Sequence, residues 1–252
     1  MSGARVRVLG SGTALPTARR GCPGTLVELE DVSIALDFGA GSMSAMARAG
    51  RPPHRLDHIV LSHAHVDHLG DLVPLLFARH GPDLTDCSDL IVHGWPGFLD
   101  WFEGPRRSFG RWLDARHGSL TLRELDGRFE ASTFRLLDAP VNHIPGARGV
   151  RLELRDGPTI AFSGDSDVCD ELISLGRAAD LLILECSFPD EAKVAGHLTP
   201  RECGEIASAA GCRRLLLTHF YPACDAVDVA AACREVWDGP LIIAEDGLEL
   251  EL

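Results

Sequence analysis

The 252-residue chain contains no apolar run of the length, about 18 residues, that a membrane-spanning helix requires. Its first residues, Met1 to Arg5, lead directly into a strand-like pattern without an apolar leader. We therefore expect no signal peptide and no membrane partner, and we predict a cytoplasmic protein.

Paired cysteine motifs are also missing, because none of the eight cysteines stands in a C-x-x-C spacing. This argues against a structural zinc site built from cysteines. In a chain of this size, scattered cysteines are typical of reduced and mostly buried thiols. The eight are Cys22, Cys87, Cys169, Cys186, Cys203, Cys212, Cys224 and Cys233.

Positive charge is scarce as well, since the formal net charge is −13 and Lys193 is the only lysine. A broad nucleic-acid surface needs clustered cations that displace counterions from phosphates. The composition therefore argues against such a surface, although a local basic groove remains compatible with it.

Strand-like and helix-like patterns alternate in both halves, and no low-complexity linker or change of composition divides them. With 45% hydrophobic residues the chain can bury a full core, so we predict an α/β fold with one domain over residues 1–252. Predicted strands cover residues 5–9, 25–30, 33–37, 57–61, 90–93, 120–125, 129–141, 150–154, 159–163, 181–184, 215–217, 241–244 and 248–252. Predicted helices cover residues 42–49, 70–79, 95–116, 169–177, 199–210 and 227–236.

The most informative stretch is HAHVDH at residues 63–68, between a predicted strand and a predicted helix. Imidazole and carboxylate groups are ligands that zinc commonly takes in proteins. One short loop cannot surround an ion, because tetrahedral coordination needs ligands that converge from several directions. The motif therefore predicts a metal site whose remaining ligands come from other parts of the chain.

Further metal-binding side chains follow other predicted strands. His143, Asp165 and His219 each stand just after a strand, and His197 is a less secure member of this set. Open sheets place their sites at the carboxyl ends of strands. Six or seven such groups are too many for one ion, but they suit two ions about 3.5–4 Å apart that share a carboxylate. We therefore predict a two-metal site.

These motifs stand in the order found in a known family. The chain resembles the metallo-β-lactamase superfamily, and more closely its ribonuclease Z-like branch, over almost its whole length. The resemblance implies a four-layer αββα sandwich of the metallo-β-lactamase type. The matching segments are LGSGTALP at 9–16, LDFG at 36–39, HAHVDH at 63–68, NH at 142–143, SGDS at 163–166, GHLTP at 196–200, THF at 218–220 and EDG at 245–247.

The resemblance also implies the ligands of two divalent ions, with zinc favoured and manganese or iron as alternatives. Asp37 would orient a ligand histidine from outside the coordination shell. The implied ligands are His63, His65 and His143 for the first ion, Asp67, His68 and His219 for the second, and Asp165 between them.

The implied chemistry is hydrolysis by a hydroxide that bridges the two ions. Asp67 would accept the proton of the water, and His197 would donate a hydrogen bond or proton to the charged oxygens or the leaving group. The alternative for His197 is a loop residue before the helix at 199, with no catalytic role. The histidines outside the motifs are expected to be structural or exposed, namely His54, His58, His80, His93 and His117.

The substrate is less closely defined. Members of the branch that process tRNA carry a long clamping insertion between the motifs that correspond to His143 and Asp165, whereas here only residues 144–164 separate them. We therefore expect a phosphodiesterase that acts on small-molecule or short phosphodiester substrates rather than on tRNA. The alternatives are a hydrolase of lactones, β-lactams or other carboxylic esters, and a metal-binding scaffold without turnover. The aromatic segment Trp95 to Trp112 is predicted to be mainly packing surface, and it is also a candidate cleft wall or homodimer face.

Overall fold

The computed structural model describes residues 3–82 and 84–252. Met1 and Ser2, which belong to the stretch from which we predicted the absence of a signal peptide, lie outside the described residues, as does Asp83. Two mixed sheets pack face to face, and helices cover their outer faces. This confirms the predicted α/β sandwich of four layers.

The first sheet is built mainly from the first half of the chain. In spatial order, its first four strands pair antiparallel and its last four pair parallel. In spatial order its strands are β14 (Glu249–Glu251), β1 (Arg5–Gly10), β2 (Gly24–Glu28), β3 (Ser33–Phe38), β4 (His58–Val60), β5 (Leu90–Gly94) and β6 (Leu120–Glu124).

The second sheet is built from the second half. Its first four strands pair antiparallel and its last four pair parallel. In chain order its strands are β7 (Arg128–Glu130), β8 (Phe134–Pro140), β9 (Arg148–Leu154), β10 (Thr159–Phe162), β11 (Leu181–Glu185), β12 (Leu215–Thr218) and β13 (Leu241–Ile243).

In the described part of the chain, three α-helices cover each sheet. The helix that contains Pro200 begins at a capping box, in which the side chains of Thr199 and Glu202 each accept a hydrogen bond from the other's backbone amide. None of the described helices combines the length and the apolar character that a membrane span requires. The helices are α1 (Ser42–Arg48), α2 (Leu72–Ala78) and α3 (Phe98–Phe109) on the first sheet, and α4 (Asp170–Gly176), α5 (Pro200–Ala210) and α6 (Val229–Arg234) on the second.

Alternation along the strands divides the apolar residues between two cores. In β3, Ile34 and Leu36 join the core that lies between the sheets, while Ala35 joins the core under α1, α2 and α3. Every residue of β11 is buried, as expected for a parallel strand in the interior of a sheet. The buried sheets therefore form a rigid frame for the loops at the strand ends.

Two predicted elements differ from the structure by more than two residues at an end or in number. The predicted strand at 129–141 is two strands, β7 and β8, because Ala131 N donates to Phe134 O and closes a tight turn between them. The predicted helix at 95–116 is shorter, since the backbone at Gly110 has a φ of +58° and ends α3 before a 3₁₀ turn.

Candidate metal centre

The candidate ligands lie in the loops that follow four strands. His63 follows β4, His143 follows β8, and Asp165 follows β10, while His219 comes directly after β12. The backbone of His219 has a φ of +59°, which is uncommon for a residue with a side chain. His197, the less secure member of the set, does not follow a strand directly and lies in the loop before α5, where its position ahead of Thr199 and Pro200 predicts it.

Close packing of the loops depends on glycine at two positions. A Cβ at Gly39 would lie 2.0 Å from the backbone oxygen of Asp67, and one at Gly164 would lie 2.6 Å from the Cβ of Ser62. Gly164 also has a φ of +59°. These glycines let the loops carrying Asp67 and Asp165 reach their neighbours.

The structure brings the seven predicted ligands together in one cluster. Their nitrogen and oxygen atoms form groups in which all atoms lie within 4.8 Å of one another. A group of this kind that includes His197 is also present. The groups are His63, His65, His143 and Asp165; Asp67, His68 and His219; and Asp165, His197 and His219.

Asp165 faces both sides of the cluster. Its Oδ2 lies 3.8 Å from the Nε2 atoms of both His63 and His143. The same oxygen lies 3.4 Å from His68 Nε2, and Oδ1 lies 3.5 Å from His219 Nε2. Bonds of about 2.1 Å in a tetrahedral zinc site set neighbouring ligand atoms about 3.4 Å apart. These spacings therefore suit a carboxylate shared by two ions.

Hydrogen bonds orient the histidines on the side of the first sheet. Asp37 accepts from Ser62 N at 2.8 Å, from Ser62 Oγ at 2.9 Å and from His68 Nδ1 at 2.7 Å. Since the hydroxyl hydrogen of Ser62 is donated to Asp37, its oxygen accepts from His63 Nδ1 at 2.9 Å. Both histidines therefore carry hydrogen on Nδ1 and turn Nε2 toward the cluster.

The histidines on the side of the second sheet are held in the same way. His143 Nδ1 donates to Gly196 O at 2.9 Å. Ser187 Oγ donates to Glu185 Oε2 at 2.6 Å and accepts from His219 Nδ1 at 2.9 Å. Their Nε2 atoms are therefore also free to bind a ligand in the cluster.

The inner atoms of the cluster fit a metal. Among the described residues, His68 Nε2, His219 Nε2 and Asp165 Oδ1 are buried without a hydrogen-bond partner. Unpartnered buried polar atoms are costly, and three that converge on one space indicate a group that binds them all. In the first group, His65 Nδ1 lies 2.9 Å from His63 Nε2, so two ring nitrogens face each other with no oxygen between them.

The charges around the cluster shift the pKa of its members. Burial lowers the pKa of His63 to about 2, and the neighbouring histidines reinforce this shift, so its lone pair is available at neutral pH. Burial opposes ionisation of Asp165, but His219 and His68 hold its pKa well below the usual range. Burial likewise disfavours protonated His68, yet Asp165 and Asp37 raise its pKa well above the ordinary value.

A buried carboxylate that the sequence reasoning missed, Glu185, supports His197. Its Oε1 accepts from His197 Nδ1 at 2.9 Å and from Ser166 N at 3.1 Å. Although burial disfavours the charged imidazole, Glu185 raises the pKa of His197 above its ordinary value. Glu185 ends the very apolar strand β11, so the strand-end rule that selected Asp165 could have found it.

Residues outside the motifs lie where the sequence predicts. His58 and His93 are buried and paired, with His58 Nδ1 3.2 Å from His93 Nε2. In the aromatic segment, Phe98 and Phe102 pack in the core, whereas Trp112 is 46% exposed and contacts Phe77 on α2. The described ring contacts of this segment join it to the outer helices and not to the metal cluster.

Comparisons with known proteins agree with this fold and site. The family model described as "Beta-lactamase superfamily domain" matches residues 35–220. The probable metallo-hydrolase YhfI of Bacillus subtilis is 28% identical over 98% of this chain and 99% of the relative. A ribonuclease Z of Mycobacterium sp. (strain KMS) is 31% identical over 86% of this chain and 84% of the relative.

Solved structures show the same fold. The crystal structure of YhfI from Bacillus subtilis matches with a TM-score of 0.85 over 100% of both chains, at 28% identity. The short form of human tRNase Z matches with a TM-score of 0.78 over 98% of both chains, at 22% identity. The chain belongs to the metallo-β-lactamase superfamily of metal-dependent hydrolases, in its ribonuclease Z-like branch.

Proposed function

We propose that the chain is a phosphodiesterase with a two-ion centre that acts on small or short phosphodiesters. The observation that carries the proposal is the position of Asp165, whose carboxylate lies 3.4–3.8 Å from histidines of both ligand sets. These are His63 and His143 on one side, and His68 and His219 on the other. One carboxylate that faces two ligand sets supports two ions better than one. Two divalent ions held there lower the pKa of a water toward neutrality and offset the charge of phosphoryl oxygens.

The proposed ligands follow from the orientation of the side chains. Each of the four buried or half-buried histidines has its Nδ1 bonded outward and its Nε2 turned inward. Zinc suits this set of imidazoles and carboxylates, and manganese and iron are the other ions that it fits. The proposed ligands are His63, His65 and His143 for one ion, Asp67, His68 and His219 for the other, and Asp165 for both.

Two side chains are proposed to move protons. Asp67 lies at the cluster with its Oδ2 3.6 Å from His219 Nε2, and it accepts the proton of the attacking water. His197 donates Nδ1–H to Glu185, which leaves Nε2 to give a proton to the leaving oxygen. Although burial opposes the charged form, Glu185 favours it and raises the pKa of His197 above the ordinary value, as a proton donor requires.

The segment between His143 and Asp165 supports a short substrate. Residues 148–162 form only the hairpin of β9 and β10, whose strands pair from Val150 to Glu153 with Phe162 to Thr159. No arm extends from this hairpin that could hold a folded RNA. A net charge of −13 agrees with a substrate that carries few phosphates.

A substrate panel tests the proposal. Purified protein loaded with zinc, manganese or iron is assayed with bis(p-nitrophenyl) phosphate, a set of lactones and nitrocefin. We expect cleavage of the diester, and His197→Ala should retain its metal while losing at least about a hundredfold in diester turnover. Turnover of lactones without diester cleavage would assign the same site to carboxylic esters, and a metal-loaded protein without turnover would favour the scaffold.

A further inference from the structure

Two aromatic rings stack against each other beside the metal cluster. The ring centroids of Phe188 and Tyr221 are 4.6 Å apart, and their planes differ by 19°. Tyr221 is the only tyrosine of the chain. Both residues are only half-buried, so the stacked pair, which we call the aromatic platform, is accessible from solvent.

The sheet holds the aromatic platform in place. Phe188 and Tyr221 each stand three residues beyond the end of a strand, and the two strands, β11 and β12, are paired in parallel. Between them, Tyr221 N donates to Ser187 O at 3.3 Å, and Cys224 Sγ donates to the same oxygen at 3.2 Å. A planar group that binds to this pair therefore contacts a surface that is already ordered before binding.

The platform lies next to the proposed proton donor. The ring of His197 is 5.6 Å from that of Phe188 and 6.1 Å from that of Tyr221, centroid to centroid. Tyr221 also lies 6.1 Å from His219. Since His197 gives its proton to the leaving oxygen, the platform is on the leaving-group side of the site.

Two exposed valines lie beside the cluster, and the ammonium group of the nearby Lys193 is already paired. Val66, between two proposed ligands, is 74% exposed, and Val194, whose oxygen accepts from His197 N, is 43% exposed. The ammonium group of Lys193 is bound to Asp167 at 2.7 Å and also to Glu202. A long nucleic acid needs a row of cations for its phosphates, whereas one diester with an apolar ring does not.

We propose that the aromatic platform of Phe188 and Tyr221 binds a planar aromatic ring on the leaving group of the phosphodiester. The ring is that of a nucleobase or of an aryl alcohol, which share the flat apolar face that stacks on aromatic side chains. The inference rests on the proposed function, to which it adds the class of substrate.

Equilibrium binding tests the platform without turnover. Zinc-loaded protein is titrated by calorimetry with thymidine 5′-monophosphate, phenyl phosphate and methyl phosphate, which share a phosphate monoester and differ in the ring. We expect the two ring compounds to bind about tenfold more tightly than methyl phosphate. Tyr221→Leu and Phe188→Leu should each remove most of that margin, and Tyr221→Phe should retain it.

Kinetics give a second test. Because each variant is compared with the wild type on the same substrate, differences in leaving-group reactivity between substrates do not affect the result. The loss of kcat/KM caused by Tyr221→Leu is compared between bis(p-nitrophenyl) phosphate, thymidylyl-(3′→5′)-thymidine and bis(2,2,2-trifluoroethyl) phosphate, which has no ring. The loss should be about tenfold greater for the ring substrates, and it should appear mainly in KM. Phe77→Leu, which removes an exposed ring from α2, is the matched control and should change none of them.

The outcomes separate this inference from the proposed function. Equal affinity for methyl phosphate and the ring compounds, or equal kinetic losses for all three diesters, overturns the platform and leaves the phosphodiesterase standing. If the ring compounds bind more tightly than methyl phosphate but no diester is cleaved, the binding role of the platform is supported and the phosphodiesterase activity is refuted. If only the thymidine compounds bind more tightly or lose more activity in Tyr221→Leu, the platform is specific for nucleobases. If the phenyl compounds do so as well, the platform binds aromatic rings in general.

Discussion

At the scale of single residues, Asp37 connects the two motifs at 36–39 and 63–68. Its carboxylate accepts from Ser62 and from His68 Nδ1, and its backbone has a φ of +54°, which Asp and Asn tolerate better than most residues. The side chain thereby fixes the tautomer and direction of a buried imidazole without entering the cluster itself.

Replacing this carboxylate should weaken the metal site. Asp37→Asn is expected to lower metal affinity by roughly 10- to 100-fold, because the bond that orients His68 is weakened. A competition titration against a chromophoric chelator measures the change. The matched control is Asp57→Asn, since Asp57 accepts from Ser33 N at 2.8 Å and does not belong to the cluster. Equal losses in both variants would refute the role of Asp37.

Glu185 should set the pH dependence of turnover. Its carboxylate raises the pKa of His197 against the opposing effect of burial. A general acid must be protonated, so activity falls as pH rises through its pKa. Glu185→Gln removes the negative charge and should move the alkaline limb of the kcat profile to lower pH. An unmoved limb would show that another group titrates there.

The sequence could predict those site residues that belong to a motif within a short segment of the chain. Three histidines and an aspartate within residues 63–68 form a motif that needs no partner to be noticed. Ser62 and Ser187 carry no such signal, because their role appears only where Asp37 or Glu185 meets a histidine brought in by the fold. The metal ligation itself stays a prediction that metal analysis decides.

At the scale of elements, α5 combines a capping box with a position next to the site. Glu202, the third residue after the N-cap, accepts from Thr199 N and also binds Lys193 in the loop that carries His197. The start of the helix and the placement of that loop therefore share one carboxylate.

Two N-cap variants separate stability from catalysis. Thr199→Ala and Asp228→Ala, at the starts of α5 and α6, should each lower the free energy of unfolding by about 1 kcal/mol. Only Thr199→Ala is expected to lower diester turnover as well, because it loosens the loop next to His197. Urea denaturation and kcat/KM check the pair, and equal turnover in both variants would contradict the coupling.

Most element positions were predictable from alternation and capping signals, but some boundaries depended on distant contacts. The turn at residues 131–134 is supported by Arg155 N, which donates to Thr133 O from the turn after β9. A single-stretch pattern contains no information about that contact. The start of α5, by contrast, is encoded entirely within residues 199–202.

At the scale of the whole molecule, sheet membership was the least predictable feature. β14 pairs with β1, with Arg5 opposite Glu251, although periodicity marks each only as a strand. Pairing between the ends of the chain is decided by the packing of both sheets and not by either segment. The predicted sandwich is correct because the family resemblance supplies what periodicity does not.

The buried pair of His58 and His93 should make stability depend on pH. Burial lowers the pKa of His93 to about 3, from an ordinary value of about 6.5. Below pH 6.5 the unfolded chain takes up a proton that the folded chain excludes, so stability falls as the pH drops toward 3. At pH 5 this amounts to about 2 kcal/mol.

His93→Asn removes this titrating group and keeps a hydrogen-bonding side chain beside His58. The wild type should lose more stability than the variant between pH 7.5 and pH 5, as measured by urea unfolding of the metal-free proteins. Parallel stability curves would show that His93 does not control this dependence.

The distribution of the ligands along the chain has a consequence for biosynthesis. His63 precedes His219 by 156 residues (219 − 63). At about 5–20 residues per second, the ribosome needs roughly 8–30 seconds to make that interval. During this time the nascent chain carries His63, His65 and His68 without the full set of partners from the second sheet. The proposed centre can therefore be completed only after His219 has been made, so an ion that needs ligands from both sheets binds only after both ligand sets have been synthesised.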